Sequence, residues 1–447
     1  MRRSRAETDA SHTKLSRRAA LLGGVQLLFM GGLAARMRYL QVDQADQFRL
    51  LAEENRINIR LIPPVRGEIF DRNGVVLAAN APSCRIVMVR EDAGDFRAVM
   101  LRVAELIGLT PEQTQRAMDE LEENTAPFLP VTIAEDVSWD AVSAVSVNAP
   151  ALPGVAPEVG STRVYPRGSD FAHVVGRVGR VSPKDLEALE NPDAVLRIPR
   201  FQIGKINVEA REEDLLRGVA GNRQVEVNAT GRVMRELERR EGQSGADIQL
   251  TIDAKLQNYV QARLTGESAA VVIIDCEKGD VVANCSAPSY DPNLFIGGIL
   301  SRDYDPLLND KYRPLVNKTV QGAYPPGSTF KMMTAMAAIE AGIIGPDDTV
   351  YCPGHLEVGG RRFHCWKRAG HGWVDLETSL KSSCDVYYYD LALKVGIEKI
   401  SAMSNRFGLG IKHDLALSSV NSGLTPTKEW KLRQRGADWV IGDTVNT

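Results

Sequence analysis

The stretch Tyr324-Pro325-Pro326-Gly327-Ser328-Thr329-Phe330-Lys331 decides how the second half of this chain is organised. Two prolines and a glycine stop any preceding element, and Thr329 to Ile344 then has the composition of one helix. Ser328 therefore falls at a helix N-terminus, where unpaired backbone N–H groups favour developing negative charge. Lys331 lies one turn further along the same face, within reach of the serine oxygen. Met332, Met333, Ala335, Met336, Ala337, Ala338, Ile339 and Ala341 make the helix apolar almost all round, as in a buried helix. A lysine desolvated there can take the serine's proton and activate it as a nucleophile. The bland alternative is a capping serine beside a solvated lysine.

Outward from this stretch, 447 residues suffice for two or three domains with real cores. Hydrophobic residues at 44%, charged residues at 25% and a net charge of −3 describe a globular protein and argue against a nucleic-acid binder. At the N-terminus, Arg2, Arg3, Arg5, Lys14, Arg17 and Arg18 precede the uncharged run Ala19 to Ala35, 17 residues long. Positive charge before an apolar run predicts a single-pass anchor with the bulk of the chain exported. A cleaved signal, with Ser16-Arg17-Arg18 resembling a twin-arginine leader, and a buried soluble helix are the competing readings.

After the anchor, Gln47 to Arg60 has helical composition, ended by Pro63-Pro64. Asn73-Gly74 between apolar runs predicts a hairpin of Ile69 to Asp71 with Val75 to Ala78, its charged residues held in salt bridges. Residues 93–155 read as a small α/β insertion. Phe96 to Ile107 is helical, Thr110-Pro111-Glu112-Gln113 is a capping box whose helix runs to about Leu121, Phe128 to Ala134 is a strand, and Ser138 caps another helix. His173 to Gly179 reads as a strand with a structural His173, Asn207 to Arg217 as helix and Val225 to Val233 as a hairpin. A boundary falls at the polar Glu241 to Gly245. Beyond it, Ile248 to Ile252, Ala269 to Asp275 and Val281 to Ala287 are strands, with Ala254 to Thr265 and Val386 to Val395 as helices of an α/β core.

Several stretches together resemble a class B penicillin-binding protein of the elongation type. Arg66 to Ala78 resembles the family's Arg-Gly-x-x-x-Asp-Arg-Asn-Gly signature, and Arg163 to Gly179 with Gly204 to Gly221 resemble its stalk segments. Ala270 to Asp275 with Pro288-Ser289-Tyr290-Asp291-Pro292-Asn293 resemble the start of its transpeptidase domain. Ser328-x-x-Lys331 takes the place of the family's nucleophile motif and Ser383-Cys384-Asp385 that of its second motif. The resemblance implies an α/β (α+β) fold: a penicillin-binding, serine β-lactamase-like transpeptidase domain over 246–447 on an elongated stalk over 39–245, with a cytoplasmic tail at 1–18 and a transmembrane helix at 19–38. It implies that Ser328 attacks the D-alanyl-D-alanine carbonyl of a peptidoglycan stem peptide with Lys331 as base. Ser383 would relay the proton to the leaving D-alanine, and Asp385 would orient that serine and hold Lys331. No cofactor is required for acyl transfer.

β-Lactams, stem peptides, a SEDS-family glycosyltransferase of the RodA type, the scaffold of the elongation complex and the bacterial inner membrane are the partners implied, with the bulk of the chain in the periplasm. A division-type paralogue and a non-catalytic β-lactam sensor or scaffold are the alternatives. The family's third motif, Lys-Ser/Thr-Gly, does not occur in this sequence, so a C-terminal truncation and an inactive polypeptide are expected.

Between the two motifs, Cys352, His355, His364, Cys365, His371 and Cys384 fall within 33 residues of a chain with six cysteines and six histidines in all. Three thiolates and one imidazole close a tetrahedral zinc site, and Cys352, Cys365, His371 and Cys384 are the expected ligands, bracing the second motif. The usual Cys-x-x-Cys spacing is missing, and a Cys352–Cys365 disulfide or free thiols compete with metal. Cys84, Cys276 and Cys285 are expected in the core.

Overall fold

The structure, a computed structural model, describes residues 5–39, 57–123, 127, 130–198, 200–227 and 233–446. Arg5–Arg38 forms one helix. Among the described residues no helix is long and apolar enough to cross a membrane. Side chains of the uncharged run before Leu22 lie outside the described residues. Of the helix expected over 47–60, residues 47–56 also lie outside them, and the remainder is instead the strand β1, Ile57–Ile62. It pairs along its whole length with β8, Gly221–Val227, which in turn carries β9, Val233–Arg240. Alternating Ile57, Ile59 and Leu61 suit this strand period better than a helical one.

The hairpin at Asn73-Gly74 forms as expected, with β2 at Ile69–Phe70 and β3 at Val76–Val89. Its turn is organised by buried Asp71, whose Oδ1 accepts from the Asn73 and Val75 N–H groups. β3 also pairs with β4, Pro130–Val137, and with β5, Val155–Val164. The insertion's helices Phe96–Ile107, Pro111–Glu123 and Trp139–Val147 pack on this sheet around Met88, Met100, Val103, Leu121 and Val145. Both of its caps hold: Thr110 N donates to Gln113 Oε1 at 2.9 Å and Gln113 N to Thr110 Oγ1 at 3.2 Å, while Ser138 Oγ accepts from Ala141 N.

Three sequence expectations shift. His173 lies in a turn and the strand, β6, is only Arg177–Arg180, paired with β7, Gln202–Ile206. The strand expected at Ile248 to Ile252 shortens to β10, Ile248–Gln249, and pairs in parallel with β2. It thus completes the sheet of the first half instead of the later core. The helix after Ser328 is Lys331–Glu340, preceded by a 3₁₀ turn over Gly327–Phe330. It ends early because Gly342 takes φ +66° and Ile343 N bonds back to Ala338 O. Nor is this helix buried all round: Met332 and Ile339 are about half exposed, at 49% and 48%.

The second half contains the antiparallel pair Ala269–Ile274 with Val281–Ala287 and the helices Ala254–Arg263, Lys331–Glu340 and Asp385–Val395. The last two share a core in which Ala335 and Ala338 meet Tyr387, Tyr388, Leu391 and the thiols of Cys352, Cys365 and Cys384. Cys285 is buried and Cys84 half-buried, but Cys276 is exposed because the strand ends at Ile274 and Cys276 sits in the turn beyond it.

Candidate active site

Four residues from two separate segments converge. Ser328 sits in the exposed 3₁₀ turn, and its Oγ accepts a hydrogen bond from Ser383 Oγ at 2.8 Å. Lys331, at the start of the α-helix, turns inward, its side chain only 12% exposed. Its three N–H donors are taken by Ser383 Oγ at 3.0 Å, Ser383 O at 3.0 Å and Asp385 Oδ1 at 2.7 Å. The ammonium also lies 5.6 Å from the centre of the Tyr388 ring. The route from Ser328 to the lysine therefore passes through Ser383. The spacing of Ser328 and Lys331 brings both to Ser383, which bridges them.

Ser383 occupies the left-handed region at φ +51°, a conformation a serine adopts only when its surroundings impose it. Ser383 N donates to Leu380 O and Cys384 N to Ser379 O, closing the helix Leu376–Lys381 just before it. Asp385 opens the next helix, where its charge suits the dipole, and its Oδ2 accepts from Trp366 N at 2.9 Å. The four residues singled out from the sequence thus meet, and they are joined by two neighbours that were not singled out, Trp366 and Tyr388. Tyr388 had a signal, lying one turn from Asp385 on the same helical face; Trp366 had none.

Beneath this turn the donor atoms of Cys352, Cys365, His371 and Cys384 all lie within 4.8 Å of one another. His371 Nδ1 is 3.7 Å from Cys352 Sγ and 3.5 Å from Cys365 Sγ. Tetrahedral bonds of ~2.3 Å to sulfur and ~2.05 Å to nitrogen put such atoms about 3.6 Å apart, so the spacing fits zinc. All six cysteines are free, and Cys352 and Cys365 are not bridged. Burial pushes the Cys384 thiol up to about 12, with Cys352 adding to the effect. Cys352 is lowered despite its burial, because the His371 and Gly354 N–H groups point at its sulfur. His371 is lowered by burial and by Lys367, which favours the neutral, ligating imidazole; its Nε2 is buried without a protein partner. His355 and His364 face each other across the adjoining strands and do not join this cluster.

The loop that brings the four donors together depends on close backbone contacts. A Cβ on Gly354 would sit 2.1 Å from Arg368 O, and one on Gly370 would sit 2.2 Å from Cys352 O. Both glycines also have positive φ, +97° and +79°. The strand Val350–Cys352 then pairs with Gly372–Val374, which sets His371 beside Cys352.

Residues 61–250 match the penicillin-binding protein dimerisation domain, and residues 269–447 match the penicillin-binding protein transpeptidase domain. Peptidoglycan D,D-transpeptidase MrdA of Escherichia coli (strain K12) is 37% identical over 422 residues, which are 94% of this chain and 66% of that protein. The chain thus spans just under two thirds of that relative's length. MrdA of Salmonella typhimurium (strain LT2) is 33% identical over 441 residues, 98% of this chain and 71% of that protein. Among solved structures, penicillin-binding protein 2 of Helicobacter pylori in complex with MreC superposes with a TM-score of 0.77 at 27% identity, covering 87% of this chain and 73% of that one. On sequence and fold together, the chain belongs to the penicillin-binding proteins that join a dimerisation domain to a transpeptidase domain, in the group of MrdA.

Proposed function

We propose that this chain carries the acyl-transfer centre of a peptidoglycan D,D-transpeptidase that cross-links stem peptides during cell elongation and is acylated by β-lactams. One observation carries the proposal: exposed Ser328 Oγ, Ser383 Oγ, Lys331 Nζ and Asp385 Oδ1 form an unbroken line of contacts of 2.8, 3.0 and 2.7 Å. Ser328 is the nucleophile. As its oxygen bonds to the penultimate D-alanine carbonyl, its proton passes along Ser383 Oγ to Lys331, the base of the relay. The relay then runs in reverse, protonating the terminal D-alanine nitrogen as the C–N bond breaks. An amine of a second stem peptide attacks the ester, forms the cross-link and frees Ser328. Asp385 holds Lys331 in place, and the Ser328 N–H is one donor to the oxyanion.

Zinc fits the Cys352, Cys365, His371 and Cys384 donors, where it would brace the second-motif turn from below. The uncharged run Ala19 to Ala35 serves as a single-pass inner-membrane anchor, supported by the basic residues before it. This leaves the stalk, 39–245 with its head at 93–155, and the transpeptidase half from 246 in the periplasm. A RodA-type SEDS glycosyltransferase and the elongation scaffold are the protein partners. The MreC complex of the Helicobacter pylori relative supports the scaffold assignment.

Labelling full-length protein with a fluorescent penicillin tests the centre. Ser328→Ala should abolish labelling, and labelling that survives the substitution overturns the serine assignment. Depletion separates elongation from division: rounded cells are expected, whereas filaments indicate the division role. Elemental analysis should find zinc at a near-equal molar ratio; its absence together with a Cys352 disulfide removes the metal site.

A further inference from the structure

Trp366 is 64% exposed, yet three contacts fix it. Its backbone N–H donates to Asp385 Oδ2 at 2.9 Å, its indole Nε1–H donates to Ser382 O at 3.0 Å, and its ring meets His371 edge-on at 5.5 Å. The first bond fixes the carboxylate oxygen opposite the one that holds Lys331. The second fixes the carbonyl of the peptide that leads into Ser383, the residue in the left-handed region. One side chain and its own amide thus hold Asp385, the partner of Lys331, and the turn that carries Ser383, the link between Ser328 and Lys331. No other described residue donates to both Asp385 and the Ser382–Ser383 turn from the loop carrying Cys365 and His371.

We propose that Trp366 is a positioning residue of the acyl-transfer centre, clamping the Ser383 turn through its indole N–H and Asp385 through its backbone amide. The inference rests on the serine acyl-transfer reading above. In this role it joins the Cys/His cluster to the proton relay, because Trp366 follows Cys365 directly and packs on His371.

The test is stopped-flow acylation of full-length protein by a fluorescent penicillin, with the encounter constant and the acylation rate constant measured separately. Trp366→Phe keeps the amide and an aromatic ring but loses the indole donor. Its acylation rate constant should fall about 3- to 10-fold, the value of one hydrogen bond, with the encounter constant unchanged. Trp366→Ala should fall further, and both variants should keep the parent's metal content and melting temperature. A Phe variant that acylates at the parental rate overturns the proposal, as does one whose loss lies only in the encounter constant or tracks lost metal. Ser328→Ala runs alongside: residual labelling there defeats the acyl-transfer reading itself, whereas full loss there with a normal Phe variant defeats only the clamp.

Discussion

Two charged networks in this molecule use the same kinds of bond for opposite ends. In the first half, Glu209 is fully buried and accepts from Arg163 Nε at 2.8 Å and Tyr165 OH at 3.2 Å on one oxygen, and from Arg66 Nε at 2.8 Å on the other. Arg66 reaches on to Glu213 at 2.8 Å, and Arg163 to Gly67 O at 2.7 Å. In the second half, Lys331 and Asp385 form a similar pair, but their line of hydrogen bonds ends on an exposed hydroxyl. The first network stays inside the molecule and pins the Arg66 segment to the helices at 207–217. The second ends at the exposed hydroxyl of Ser328, the nucleophile of the proposed acyl transfer. Charge and burial are alike in the two networks; what differs is the exposed end at Ser328.

Removing one member of each should therefore give opposite signatures. Lys331→Ala should lower penicillin acylation by up to about 10⁴-fold, roughly 5.5 kcal/mol of barrier, while the unfolding midpoint barely moves. Glu209→Ala should destabilise the protein by about 3–5 kcal/mol in chemical denaturation, because buried Arg163 loses its carboxylate partner and Arg66 keeps only Glu213. If instead Glu209→Ala unfolds at the parental midpoint, the buried network is not what holds the first half together.

His173 sharpens the contrast, being a buried titratable group outside both networks. Burial, with Lys318 nearby, pushes it down to about 4, and its ring packs edge-on against Tyr290. The unfolded chain binds this proton first, near its ordinary value of about 6.5. Its contribution to stability is thus complete above about pH 6.5 and lost as the pH falls towards 4, by roughly 3 kcal/mol in all. Denaturation of His173→Phe across this range should show a flatter acid limb than the parent. The smallest effect belongs to the capping box of the head: Thr110→Ala should cost about 1 kcal/mol there and leave acylation untouched.

Much of this was legible locally. The Asn73-Gly74 hairpin, the Thr110 capping box, the Ser138 cap and the helical and strand runs of the insertion stand where composition puts them. Local reading failed where long-range pairing decided the outcome. Ile57 to Arg60 became a strand because β8 offers it an edge, and Ile248–Gln249 joined the stalk because β2 offers it one. Cys276 left the core by lying two residues beyond the last strand position.

The sequence by itself determined which polar groups are present, because Ser328-x-x-Lys331, Ser383-x-Asp385 and the Cys/His spacing are patterns of residue type. Only the tertiary structure decided how they are connected. Ser328 and Ser383 are 55 positions apart, and the 2.8 Å between their oxygens follows from packing two helices over a shared core. The stretch from Tyr324 to Lys331 supplies the exposed hydroxyl and the lysine. The fold makes Ser383 the link between Ser328 and Lys331 and brings Trp366 to the turn, because hydrogen bonds between distant segments depend on which faces are buried together.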